Sequence, residues 1–202
     1  MPSDIQPIAL HAGDALVVVD VQSDFLPGGS LAVPRGDEVV AVLNGCLAAF
    51  RRSGLPVVAT RDWHPGDHCS FRQQGGPWPP HCVAGSQGAG IAPSLQLPTD
   101  AIVISKATQQ QSDAYSGFEG TELDRLLRQA GVARIFVGGL ATDYCVLNTV
   151  RDALKLGYDV VLLLDAIRAV DVHAGDGGRA IAEMLQAGAM AATSTQILAG
   201  SS

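Results

Sequence analysis

The chain is predicted to be an α/β protein: a three-layer α/β/α sandwich on a six-stranded, mostly parallel sheet. Three observations carry this. Six short apolar runs punctuate the sequence, several of them apolar at nearly every position, as strands covered on both faces are. Segments with helical periodicity alternate with these runs, the pattern of βα units and a parallel sheet. Reactive side chains recur where the runs end, which is where open α/β sheets bind their ligands.

The first run, Ala15 to Gln22, carries Asp20 near its end. Residues 37–53 follow with helical spacing (Val39, Val40, Leu43, Leu47, Phe50), and Gly54-Leu55-Pro56 closes them. The second run spans Pro56 to Asp62. Residues 63–100 are rich in Gly, Pro, His and Gln, without periodicity, and hold Trp63, Trp78, His64, His68 and His81. So long an irregular stretch inside a compact chain reads as a site-forming loop. The third run is Ala101 to Lys106. A polar loop with Tyr115 and Phe118 leads to a helix over Thr121 to Ala130, ended by Gly131. Strand four is Ile135 to Gly138, followed by a tight Gly-rich turn. Thr142 is placed to cap a helix running through Cys145 to about Leu156. A fifth run, Asp159 to Asp165, a helix over residues 174–187 and a short strand near Ala189 to Ala192 complete the order.

At 202 residues, with 47% hydrophobic and 16% charged side chains, the chain has enough apolar material for one domain, 1–202, with a sizeable core. A formal charge of −7, without a Lys/Arg run, argues against a nucleic-acid partner and leaves small molecules as the expected ligands. No apolar run has the length of a membrane span. The cysteines at 46, 69, 82 and 145 show no CxxC spacing, and no secretory signal is evident. A reduced, cytoplasmic setting is therefore expected.

The chemistry concentrates at the strand ends. Cys145 falls in the first turn of a helix, where the dipole favours a thiolate nucleophile, and the N–H groups of that turn suit a developing oxyanion. Read alone it is more readily a small buried hydrophobe, as most free cysteines are. Asp20 suits a general base for that thiol, and Lys106 a cation that keeps Asp20 ionised. Asp62 and His64, two apart on an extended segment, project from one face. With His81, stiffened by Pro79 and Pro80, they form a two-His-one-carboxylate set for a divalent ion: Zn²⁺ first, with Fe²⁺ or Mn²⁺ also suited. His68 is a fourth ligand or an outer partner. Cys69 and Cys82 are soft alternatives that adjoin better-placed histidines. His11 and His173 lack matching partners, and Cys46 sits on an apolar helix face.

These stretches resemble the nicotinamidases (pyrazinamidases) of the isochorismatase-like cysteine hydrolase superfamily. The resemblance covers nearly the whole chain. It rests on Val19-Asp20-Val-Gln22-Ser-Asp24-Phe25, on Arg61-Asp62-Trp-His64 through His68 to Phe71, and on Trp78-Pro-Pro-His81-Cys-Val83. Lys106, Tyr115-Ser-Gly-Phe118-Glu and Gly139-Leu-Ala141-Thr-Asp-Tyr-Cys145-Val146 complete it. It implies hydrolysis of nicotinamide to nicotinate and ammonia through a thioacyl-enzyme, within NAD salvage. The implied roles are Asp20 as base, Lys106 in support and Cys145 as nucleophile, with one divalent metal. The N–H groups of Ala141 and Cys145 are the implied oxyanion hole, beside a cis peptide between Leu140 and Ala141. Phe25, Trp78 and Tyr115 are the implied ring contacts. A homo-oligomer is left open. The alternatives are a related amidase for a carbamoyl or ureido compound, an isochorismatase-type vinyl-ether hydrolase, and a catalytically silent metal-binding protein.

Overall fold

A computed structural model describes residues 6–200, so the two ends of the expected 1–202 unit lie outside the described residues. In chain order the strands are β1 (Asp14–Val19), β2 (Val57–Asp62), β3 (Ile102–Lys106), β4 (Arg134–Leu140), β5 (Asp159–Arg168) and β6 (Met190–Ala192). The helices are α1 (Glu38–Arg52), α2 (Leu123–Gln129), α3 (Leu147–Lys155), α4 (Asp176–Gln186) and α5 (Ser194–Gly200). One sheet runs in the order β3-β2-β1-β4-β5-β6, and every pairing in it is parallel.

The two-residue period of β1 divides the core. Leu16 and Val18 join a cluster with Leu43, Leu47 and Phe50 of α1 and Ile197 of α5. Ala15, Val17 and Val19 face the other way, with Leu123 and Leu127 of α2, Val150 of α3 and Met184 of α4. All six residues of β1 are buried, which is why the run shows no polar alternation. Helices thus cover both faces, and three layers result.

Three elements depart from the sequence reading. Gly139 and Leu140, expected in the turn after Gly138, belong to β4 instead. Gly139 stands beside Val19 in the β1–β4 register with φ 126°, and a Cβ there would lie 2.0 Å from the Val19 carbonyl oxygen. The glycine answers a close approach between strands. β5 extends to Arg168, past the expected Asp165, because its register against β4 shifts between Val137 and Gly139 and pairing resumes at Ile167. α5 has no counterpart in the sequence reading.

The strand order reverses between β1 and β4, and the carboxyl ends around that reversal carry the reactive residues. Residues 63–101 form a long loop beyond those ends whose regular structure is a single 3₁₀ turn, Arg72–Gln74. Bridges pinning it include His64 to Val83 and Gln22 to Ile91.

Candidate active site

Lys106 ends β3 and is 1% exposed. Its Nζ lies 2.5 Å from Asp62 Oδ1, 2.9 Å from Asp20 Oδ2, 3.1 Å from the Ala114 carbonyl oxygen and 3.5 Å from Cys145 Sγ. A buried ammonium needs compensating charge, and two carboxylates supply it. Burial works against its charge, yet Asp20 and Asp62 outweigh that and hold its pKa well above the ordinary lysine value. For Asp62, burial favours the acid form, but Lys106 and then His64 prevail and hold the carboxyl well below the usual range.

Asp20 follows β1 directly, in a left-handed conformation (φ 48°) that swings its side chain over the strand ends. It is wholly buried, and Oδ1 accepts the Thr60 hydroxyl at 2.6 Å. Burial raises its pKa, against the opposing pull of Lys106. Thr60 is a site residue that the sequence reading misses, although it stands two residues before Asp62 and so shares its face of β2.

Cys145 sits in a π-helical turn, Thr142–Val146, that leads into α3. The expected Thr142 cap is absent. Ala141 occupies the cap position without a side-chain bond, and its carbonyl oxygen accepts the N–H groups of Tyr144 and Val146. The peptide between Leu140 and Ala141 is cis. The expectation of a thiol pKa lowered by the helix terminus is overturned. Burial, reinforced by Asp20 and Asp62, raises it well above the ordinary value despite Lys106. The sulfur accepts from Lys106 Nζ at 3.5 Å and lies within 4.8 Å of a carboxylate oxygen of Asp20 and of Asp62.

Asp62, His64 and His81, all buried, each present one ligand atom within 4.8 Å of the others. His64 Nδ1 lies 3.2 Å from the Ala107 carbonyl oxygen, so the proton belongs on that nitrogen. Its Nε2 is buried without a hydrogen-bond partner, 3.7 Å from Asp62 Oδ2. His81 Nδ1 likewise donates to the Pro79 carbonyl oxygen at 2.8 Å, and burial lowers the pKa of this ring, favouring the neutral form a ligand needs. An orphaned imidazole nitrogen, a second ring held by its other nitrogen and a carboxylate fit a divalent cation.

His68 stacks on His64 with ring centroids 4.2 Å apart. Both of its nitrogens are engaged, Nδ1 with the Ser70 hydroxyl and Nε2 with the Ser112 carbonyl oxygen, and it lies outside the converging set. Cys69 and Cys82 also lie outside it among the described residues. Cys46 is core, its thiol pushed up to about 12 by burial. His11 and His173 are exposed and lie outside the converging set.

Phe25, Trp78 and Tyr115 wall a pocket that opens onto Cys145, Ala141, Asp62 and His81. Trp78 Nε1–H donates to Tyr115 Oη at 3.1 Å, and both rings meet Tyr144, at centroid distances of 5.1 and 5.6 Å. Phe25 closes the other side against His81 at 5.7 Å. Tyr144 and Val170 join the wall without any local signal in the sequence. Asp143 places Val170, its carboxylate accepting the N–H groups of Val170 and Asp171 at 2.9 Å each.

A parallel sheet with an acid, an ammonium and a thiol at its carboxyl edge is the framework of a hydrolase. The chain belongs to the isochorismatase domain family, whose model matches residues 14–196. Among its relatives, the nicotinamidase of Escherichia coli (strain K12) is 41% identical over 196 residues, covering 87% of this chain and 92% of that protein. The pyrazinamidase of Pyrococcus horikoshii, solved in complex with zinc, superposes with a TM-score of 0.86 at 48% identity, covering 90% of this chain and 99% of that one. PnC1 from L. infantum, solved in complex with nicotinate, gives 0.85 at 40% identity over 95% and 98%.

Proposed function

We propose that the chain is a cysteine amidohydrolase that hydrolyses nicotinamide, and pyrazinamide, to the corresponding acid and ammonia with the help of a divalent cation. The observation that carries the proposal is the meeting of buried Asp20 and Lys106 with Cys145, which lines the pocket: Lys106 Nζ is 2.9 Å from the acid and 3.5 Å from the sulfur. Similarity to the nicotinamidases supports the choice of substrate.

In this reading Asp20 takes the Cys145 proton as sulfur attacks the carboxamide carbon. Its raised pKa makes it a stronger base than an ordinary carboxylate. Lys106 holds the acid and the sulfur together and offsets the charge that moves between them. The C–S bond forms, the carbonyl electrons move to oxygen, and the N–H groups of Ala141 and Cys145 receive that oxyanion. As the carbonyl reforms, the C–N bond breaks and Asp20 returns the proton to nitrogen, releasing ammonia. Water then attacks the thioester and gives its proton to Asp20. As the carbonyl reforms the C–S bond breaks, the acid product leaves, and the departing sulfur takes the proton back from Asp20.

Asp62, His64 and His81 would hold the cation, with zinc preferred and Fe²⁺ or Mn²⁺ suited to the same donors. When bound, it supplies a Lewis-acid contact for a ring nitrogen, which is meta to the carboxamide and so orients it. Phe25, Trp78, Tyr115 and Tyr144 enclose the flat ring. His68, stacked on His64, holds that ring's plane. A cytoplasmic setting agrees with four described cysteines that are all free.

Ammonia release from nicotinamide, pyrazinamide and a panel of carbamoyl and ureido compounds tests the reading. Nicotinamide and pyrazinamide should dominate. Faster turnover of a ureido or carbamoyl compound would transfer the chain to the related amidases.

A further inference from the structure

We propose that Gln22 is a positioning residue that sets the cation affinity of the site by fixing Asp62. The inference rests on the reading of Asp62, His64 and His81 as cation ligands. Hydrogen bonding between β1 and β2 runs as far as the N–H of Asp20 and the carbonyl of Thr60, at 3.2 Å. Beyond that point β1 has ended, and Asp62 has no backbone neighbour on that side to pair with. Gln22 takes the place of one. Its Oε1 accepts the Asp62 N–H at 2.7 Å, and its Nε2 donates to the Asp62 carbonyl oxygen at 2.8 Å. The second proton of Nε2 goes to the Ala89 carbonyl oxygen at 2.9 Å. The side chain is wholly buried, and every hydrogen-bonding atom of its carboxamide is used.

This pairing copies one rung of a sheet with a side-chain amide. On the opposite side β3 holds the same stretch through the register of Asp62 with Lys106. Asp62 is therefore gripped from both edges, and its two carboxylate oxygens are left to face Lys106 and His64. A hydrophobic or shorter residue at position 22 keeps the fold of β2 but releases one edge of the ligand. Groups that hold a metal ligand from behind commonly change affinity 10–100-fold when removed.

The experiment titrates the zinc-loaded full chain with a chromophoric chelator and compares wild type, Gln22→Met and Gln22→Asn. Ser194→Ala, which removes a hydroxyl bonded to Asp165 far from the site, reports the effect of a purely structural loss. Zinc affinity should fall about 10–100-fold in both Gln22 variants and by less than about twofold in Ser194→Ala. Gln22 variants that lower the melting temperature yet keep wild-type zinc affinity would overturn the inference. Wild type that yields its zinc as readily as a nonspecific surface would instead overturn the cation reading, and the inference with it.

Discussion

Lys106 and Asp62 share a hydrogen bond of 2.5 Å, while the other oxygen of the same carboxylate faces His64 Nε2 at 3.7 Å. One side chain therefore belongs both to the acid–ammonium–thiol set and to the cation set. Asp62→Asn should cost both: zinc affinity and kcat/KM each fall by at least about tenfold. Removing one partner of a buried ion pair also costs about 3–5 kcal/mol, so the denaturant midpoint should drop. An Asp62→Asn variant that loses zinc affinity but keeps full stability would separate the two roles.

Lys106→Arg should fail to replace lysine. Nζ touches four separate groups from one compact centre, and a planar fork cannot reproduce that arrangement. Turnover should fall about 100-fold or more, within the range lost when a positioned electrostatic group is removed. Steady-state kinetics at saturating zinc checks this.

The pH profile follows from Asp20. Burial raises its pKa above the ordinary 3.8, so the base is lost by protonation as pH falls through that raised value. The acid limb of kcat/KM should therefore lie above the ordinary carboxylate range and belong to the coupled set of Asp20, Lys106 and Cys145. Asp20→Asn should lower the rate about 10²–10⁴-fold. An acid limb at or below the ordinary value would remove Asp20 as the base.

Two glycines give opposite expectations. Gly139→Ala drives a Cβ to 2.0 Å from the Val19 carbonyl oxygen at φ 126° and should destabilise by more than about 1 kcal/mol. Gly178 lies within α4, and a Cβ added there would meet nothing within 4 Å, so Gly178→Ala should stabilise by about 0.5–1 kcal/mol. Urea melts of the two variants decide both.

Tyr144 meets Trp78 and Tyr115 edge-on or tilted and lines the pocket. Aromatic pairs of this kind contribute about 0.5–1.5 kcal/mol each, so Tyr144→Ala should raise KM for nicotinamide about two- to tenfold or more. Unchanged KM would remove it from the ring-binding wall.

The strands are legible because parallel strands buried on both faces leave continuous apolar runs, as β1 does. Gly139 reads as a turn because its reason is non-local: the approach of Val19 across the sheet has no trace in a short window. Asp20, Asp62, Lys106 and Cys145 are readable as residues at strand ends. The bond from Lys106 to Asp62 depends on the β2–β3 register, which no local pattern displays. Cys145 makes the same point in energetic terms. Its helix position argues for a lowered pKa, whereas burial, a property of the whole fold, raises it. Tyr144 and Val170 enter the pocket unannounced because walls are made by whichever loops the fold brings together.

Ammonia release from nicotinamide by Cys145→Ala, at saturating zinc and beside wild type, tests the covalent mechanism most directly. A loss of at least about a thousandfold, with the variant folded, is the expected result. Turnover within tenfold of wild type would contradict attack by Cys145.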